Sequence, residues 1–321
     1  MKPSDSTGQV PEHIGIFGSN GHIGIEIARQ ISIQSPQTKL RLLVRSLAYQ
    51  PALQAEFPNA EVVLADYYDL PSLEVGLKNL QGLFIVTPDF LNEEQAMNNL
   101  VAAVQVHGSL QHIVRLLADP PGMTIDRVPK ALKDFGNGTA TQHLNAKVIL
   151  KDSGLPITYI NVASYFFQNL LRAMAPSIRE ERKLVVPRDR RMGFIDSADI
   201  ASCAAALLLT DGVRHIGNTY HLDNGHDVMW FEELADLMTE AFGETITYEG
   251  SDEYFLEKNK EMLAQFMGHP DAADYFLEYM QFEQDNEQIW SRTGIVPFLT
   301  GRPAKKLADW LHENKQAILQ G

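Results

Sequence analysis

Between His13 and about Ala163 the chain alternates two patterns. Short apolar runs rich in β-branched residues are separated by longer stretches of helical period. The runs are IGIFG (14–18), LRLLV (40–44), EVVLAD (61–66), LFIVT (83–87), HIVRLL (112–117) and ITYINVA (157–163). Most are nearly continuous, the pattern of parallel strands covered on both faces. Between them Ile23, Ile27, Ala28 and Ile31 share one helical face, as do Met97, Leu100, Val101 and Val104. Six β–α repeats with short connections predict an α/β fold, an open parallel sheet doubly wound with helices.

Past Ala163 this rhythm stops. LVVP (184–187) and TYHLD (219–223) read as short strands, and an Ala/Leu-rich helix is expected around 197–209. Asp227 is expected to cap the next helix, whose buried stripe is Leu234, Leu237, Met238 and Phe242 and whose C′ residue is Gly243. Residues 252–283 and 303–317 are helical in pattern, and the first stretch carries Tyr254, Phe255, Phe266, Tyr275, Phe276, Tyr279 and Phe282. These aromatics either pack small helices or line an apolar substrate pocket.

The glycine turn carries the strongest chemical signal. Gly18-Ser19-Asn20-Gly21-His22-Ile23-Gly24 follows the first strand directly and leads into a helix. Gly18 allows a sharp turn, Gly21 removes a Cβ that would block a diphosphate, and Gly24 lets the helix pack closely on the sheet. The helix N-terminus then offers unpaired N–H groups and a positive dipole end. Dinucleotide binding is the expectation. At the end of the second strand, roughly 20 residues past the glycines, an NAD site places an acid. This chain has Arg45-Ser46 there. A guanidinium suits a 2′-phosphate, so NADP(H) is expected as cofactor. Asp66 is positioned either to meet the adenine amino group or to cap the next helix.

Composition sets outer limits. At ~150 residues per domain, 321 residues make one large domain or two modest ones. The formal net charge of −14 repels a phosphate backbone, which argues against nucleic-acid binding. Cys203 is the single cysteine, so no internal disulfide is expected, and no Cys/His cluster suggests zinc. The compact trio His221, Asp223 and His226 is interrupted by Asn224-Gly225, and no metal is expected there. No signal-peptide pattern and no run of ~18 apolar residues is present, so a cytoplasmic protein with no membrane partner is expected. The expected partner is a small-molecule substrate, with the chain a monomer or a homodimer.

These residues resemble the NmrA-like branch of atypical short-chain dehydrogenases. The likeness rests on the GxxGxxG spacing, VRS after strand two, LAD closing strand three, IVTP closing strand four, and H-x-x-x-K-x-x-L-x-x-SG-L-P-x-T at 143–158. FFQN (166–169), FIDSADIA (194–201) and the TG–P–WL pattern around 293–311 extend it over most of the chain. The resemblance implies a Rossmann domain over 1–163, completed by about 194–223. It also implies a smaller, mainly helical substrate lobe from 164–193 and 224–321, with the site in the cleft between the two. It further implies NADP(H), bound by Gly18, Ser19, Asn20, Gly21, His22, Ile23, Gly24, Arg45, Ser46, Asp66, Thr87 and Pro88.

The departures from the family pattern bear on chemistry. No Tyr-x-x-x-Lys pair follows strand five; the one such spacing, Tyr254 and Lys258, lies far downstream and is read as chance. Leu116-Leu117-Ala118 stands where relatives often place a serine, and Val162-Ala163 replaces an Arg-Pro. His143 falls where the isoflavone-reductase-like branch places a proton-donating lysine, and imidazole suits that task. Lys147 lies one turn on, positioned to polarise a carbonyl or contact the cofactor ribose, or else solvated. Tyr165 is a further proton donor or a packing ring. The loop 119–138 is long for a βα connection and is expected to be a lid, with Thr87, Pro88 and Phe90 forming the opposite wall. Three functions stay open. One is an NADPH-dependent reductase of a quinone, enone or imine, with His143 or water as proton source. The others are a non-catalytic NADP(H) sensor and a biosynthetic enzyme of the same fold catalysing a non-redox step such as cyclisation.

Overall fold

The computed structural model describes residues 9–286 and 292–321; residues 1–8 of the expected nucleotide-binding domain lie outside them. The first six strands alternate with helices along the chain. They run β1 (His13–Phe17), α1 (Gly24–Gln34), β2 (Lys39–Val44), α2 (Gln50–Glu56), β3 (Glu61–Leu64), α3 (Leu70–Leu77), β4 (Gly82–Ile85) and α4 (Glu93–His107). Then come β5 (His112–Leu117), α5 (Lys130–Asp134), α6 (Thr139–Asp152) and β6 (Ile157–Asn161). The remainder is β7 (Tyr165–Phe166), α7 (Ala175–Glu181), β8 (Lys183–Val185), β9 (Met192–Ile195), α8 (Ser197–Leu208), β10 (Thr219–His221) and β11 (Val228–Met229). It closes with α9 (Phe231–Phe242), β12 (Thr247–Glu249), α10 (Asp252–Met267), α11 (Ala272–Asp285), α12 (Ile295–Thr300) and α13 (Leu307–Leu319).

The chain forms two compact units. The first comprises 1–117, 145–161 and 200–220, and the second 118–144, 162–199 and 221–321. A seven-stranded sheet in the order β10-β6-β5-β4-β1-β2-β3 is the frame of the first unit. From β3 to β6 every pair runs parallel. The order reverses beside β1, the doubly wound Rossmann arrangement. On one face Phe17, Leu43, Leu83, Ile85 and Ile113 pack under Leu73, Leu77, Met97, Leu100 and Val104 of α3 and α4. The apolar runs locate the inner strands because both their faces are covered; β3, at the sheet edge, is half-exposed.

The second unit holds two small sheets, β11-β9-β7 and β12-β8, among helices. Gly243 ends α9 in the left-handed region, φ +63°, with its N–H bonded to Thr239 O, as expected of a C′ glycine. Asp227 does not cap α9, which begins four residues later. Its carboxylate instead accepts the N–H of Leu307 at 2.8 Å, so it caps the first turn of α13, 80 residues downstream. Between Asp227 and α9 the chain first forms β11, and Trp230 takes the position before the helix.

The loop 119–138 is packed within the second unit. Met123, Val128 and Leu132 are buried. Phe135 meets the Tyr275 ring edge-on at 5.3 Å, and the Tyr275 hydroxyl accepts the Ala140 N–H at 2.7 Å. A Cβ at Gly138 would lie 2.2 Å from the same ring. This anchoring to α11 explains why 118–144 divides from the sheet unit, whereas the sequence reading kept it there.

His112, at the start of β5, is wholly buried with Nε2 2.9 Å from Thr158 Oγ1. Burial, aided by the nearby His215, pushes its pKa down from 6.5 to about 4, while Leu207 backbone and Asp211 oppose the shift. Between those values the unfolded chain binds more protons than the native one, so stability rises with pH through that window and is lost toward acid. Wild type should therefore lose about 3 kcal/mol more than His112→Gln between pH 6.5 and 4. Urea denaturation at several pH values checks this, and equal losses in the two proteins would contradict it.

Candidate functional site: the glycine turn and two buried ion pairs

The turn after β1 is built by backbone contact. Gly18 has φ +66°, and a Cβ there would lie 2.6 Å from Val86 Cγ1. A Cβ on Gly24 would lie 2.3 Å from Gly18 O, a distance no side chain tolerates. At Gly21 the contact would be 3.2 Å, also to Gly18 O, whose carbonyl accepts the Gly21 N–H at 2.8 Å. α1 starts without a side-chain cap. The N–H groups of Asn20 and Ile23 take no partner among the described residues. Such N–H groups at a helix start are where an anion binds.

Neighbouring strand ends close on this turn. Buried Ser19 donates its hydroxyl to Leu43 O at 3.2 Å, drawing the turn to the end of β2. Two residues on, Arg45 is exposed and makes no hydrogen bond or ion pair among the described residues. Ser46 accepts the Ala48 N–H at 3.3 Å and so caps a short turn. Tyr67 stacks on Phe17 with ring centres 4.5 Å apart and donates to Val86 O, tying the ends of β3 and β4 to β1. Asp66 accepts the Tyr68 N–H on Oδ1 at 2.9 Å. His22 is half-buried within the turn and Pro88 is exposed.

Thr87, just past the end of β4, is held by a buried ion pair. It is buried, and its hydroxyl donates to Glu93 Oε1 while accepting from Arg115 Nη2 at 2.8 Å. Arg115 Nη2 also reaches Glu93 Oε1 at 2.8 Å, and both side chains are 0% exposed. The Thr87 hydroxyl is thus spent inside the protein, which leaves its backbone as the part that can face a ligand. Nε and Nη1 of Arg115 take no partner among the described residues. Sequence reasoning passed over this pair, although an arginine inside the apolar run HIVRLL was a signal. The following segment carries strain: Phe90 sits at φ +62°, uncommon for an aromatic residue.

The proposed catalytic residues fall in both units. His143 is 6% exposed and lies on the part of α6 that belongs to the second unit. Lys147 is half-buried, one turn on, in the part of the helix belonging to the first. Tyr165 on β7 lies four residues past the carboxyl end of β6, with its ring edge-on to Phe231 at 4.9 Å. Its oxygen accepts from Arg190 Nη2 at 2.7 Å, and Arg190 Nε bonds Glu283 Oε2 at 2.6 Å. No sequence signal linked Arg190 to Glu283, 93 residues away.

Two downstream motifs are absorbed structurally. Tyr254 donates its phenol proton to Glu181, and Lys258 Nζ lies 2.6 Å from the other oxygen of the same carboxylate. That Tyr-x-x-x-Lys spacing is a surface ion cluster. Asp223 spends its carboxylate on the N–H groups of Gly225 at 2.5 Å and Thr293 at 2.9 Å. No group of three side chains suited to hold a metal exists among the described residues, nor any helix long and apolar enough to cross a membrane.

Removing one partner of a buried pair leaves an uncompensated charge, which costs far more than the pair itself contributes. Glu93→Gln should therefore lower stability by about 3 kcal/mol in urea denaturation at neutral pH. A loss under about 1 kcal/mol, the worth of an exposed pair, would contradict the burial of Arg115.

Comparison with known proteins agrees with this architecture. A (4-alkanoyl-5-oxo-2,5-dihydrofuran-3-yl)methyl phosphate reductase from Streptomyces griseus is 26% identical over 310 residues, spanning 94% of this chain and 98% of that protein. The crystal structure of an NADPH-dependent quinone oxidoreductase from Escherichia coli, complexed with NADPH, matches with a TM-score of 0.74 at 22% identity, covering 94% of this chain and 99% of the other. NmrA, a negative transcriptional regulator solved with NAD, matches with a TM-score of 0.74 at 14% identity and 95% coverage of each chain. At such identities the two structures speak for the fold alone. The model of the NmrA-like family matches residues 11–291, most of the chain, and the protein belongs to that family.

Proposed function

We propose that the protein is an NADPH-dependent reductase of a small conjugated or carbonyl compound, a quinone, enone or imine. The observation that carries the cofactor is the glycine turn, with two N–H groups and the exposed Arg45 side chain without a partner among the described residues; the aromatic helices of the second unit favour a substrate over a sensor role. The turn fits a diphosphate, since Gly24 and Gly18 bring backbone donors where a Cβ would intrude. Arg45 fits a 2′-phosphate, and the Oδ1-bonded Asp66 retains a second oxygen for an adenine amino group. The Streptomyces griseus reductase supports the same class of chemistry. When bound, the reduced cofactor supplies the hydride.

The chain's own residues divide the remaining tasks. Backbone donors of 18–24 anchor the cofactor, Ser46 follows the arginine that selects it, and the backbone of Thr87-Pro88 borders the site at the end of β4. His143 or water delivers the proton that completes the reduction, with Lys147 one turn away on the same helix. The loop 119–138, packed against α11, is the segment of the second unit proposed to cover the substrate. The non-catalytic reading draws on the absence of a tyrosine–lysine pair after β5.

NADPH consumption with a panel of quinones, enones and imines tests this reading: turnover supports the reductase, and tight binding without turnover on any substrate supports the sensor or the enzyme of a non-redox step. The cofactor assignment has its own test. Arg45→Ala should weaken NADPH by about tenfold or more, the worth of a charge-assisted contact, and leave NADH within about twofold by calorimetry. Equal losses for both cofactors would remove Arg45 from the phosphate site.

A further inference from the structure

The second buried ion pair differs from the first in what it leaves available. Arg190 is 2% exposed and Glu283 is 8% exposed. Arg190 joins three elements: Nε to Glu283 on α11, Nη2 to Tyr165 on β7, and its guanidinium carbon 5.0 Å from the Phe231 ring centre on α9. Nη1 is held by the carbonyls of Pro187 and Arg188 at 3.3 and 3.2 Å. Every edge of the guanidinium is thereby fixed.

The Tyr165 oxygen accepts from this cation, so the phenol's own proton must point elsewhere. It finds no acceptor among the described residues. Tyr165 is half-buried, so this proton is open to a ligand that reaches the ring edge. Thr87 provides the contrast, for there a buried arginine and glutamate consume both the lone pair and the proton of a hydroxyl. Chain topology adds a second argument. Tyr165 follows the carboxyl end of β6, and open α/β sheets bind their ligands outside the carboxyl ends of their strands.

We propose that Tyr165, oriented by the Arg190–Glu283 pair, is the hydrogen-bond donor that holds the carbonyl or quinone oxygen of the substrate. This rests on the reductase reading above. When bound, a reduced cofactor would supply the hydride, and the electron pair of the substrate's reacting π-bond would then fall on that oxygen. The Tyr165 O–H binds the developing charge, and the proton from His143 or water neutralises it. Tyr165 keeps its own proton throughout. Burial pushes its pKa up to about 12, with Glu283 adding to the rise and Arg190 opposing it, so at neutral pH the phenol donates without ionising. Arg190 and Glu283 act as positioning residues.

The test pairs Tyr165→Phe with Glu283→Gln, each first shown folded by circular dichroism and thermal unfolding. On a substrate that wild type reduces, Tyr165→Phe should lower kcat by about 100-fold, the cost of losing one donor to a developing oxyanion, with NADPH affinity unchanged. Glu283→Gln removes a negative charge facing the phenol. The tyrosinate absorbance assigned by subtracting Tyr165→Phe should then appear at lower pH than in wild type. A folded Tyr165→Phe with kcat within about threefold of wild type would overturn the proposal while leaving the reductase standing. So would a Glu283→Gln titration unchanged from wild type, because the pair would then not face the phenol. An inactive wild type across the whole panel overturns the reductase reading, and this proposal with it.

Discussion

The sheet unit of the molecule depends on the approach of two backbones at Gly18 and Gly24. A side chain on Gly24 would lie 2.3 Å from the Gly18 carbonyl oxygen. Only without it can α1 start directly behind β1 and leave its first N–H groups facing outward. Other features follow from that closeness. Ser19 is carried against Leu43, so the end of β2 with Arg45 comes to the turn, and Val86 is drawn against Gly18 from β4. A larger residue at 24 would push the helix from the strand and disperse the groups that make an anion site.

Each compact unit also contains one arginine–glutamate pair removed from water. Such pairs contribute little net stability, since desolvation offsets most of the attraction; their effect here is geometric. In the sheet unit, Arg115 and Glu93 consume the Thr87 hydroxyl and fix the exit of β4. In the other unit, Arg190 and Glu283 hold a phenol by its oxygen and leave its proton free. One pair makes a wall and the other makes a donor.

Much of this architecture is legible in the residues. The inner strands β1, β2, β4, β5 and β6 are readable because both faces are largely covered, which produces long apolar runs, while β3 at the sheet edge is half-exposed and read from its β-branched residues alone; the turn is readable because its glycines are local. Gly243 was equally local. The failures share a cause. Asp227 was assigned to the helix closest in sequence, yet it caps one 80 residues away. The loop 119–138 was assigned by chain order to the sheet unit, whereas Tyr275 on α11 anchors it. The pairing of Arg115 on β5 with Glu93 on α4, which takes up the Thr87 hydroxyl, likewise joins residues far apart in the chain. Arg190 and Glu283, 93 residues apart, carry no periodicity or spacing that would join them.

The central claim, that the backbone bend after β1 binds a nicotinamide dinucleotide carrying a 2′-phosphate, is tested most directly by titrating NADPH and then NADH into the wild-type protein in a calorimeter. The account predicts saturable binding with NADPH the tighter ligand. Absence of heat from both, or preference for NADH, would contradict it.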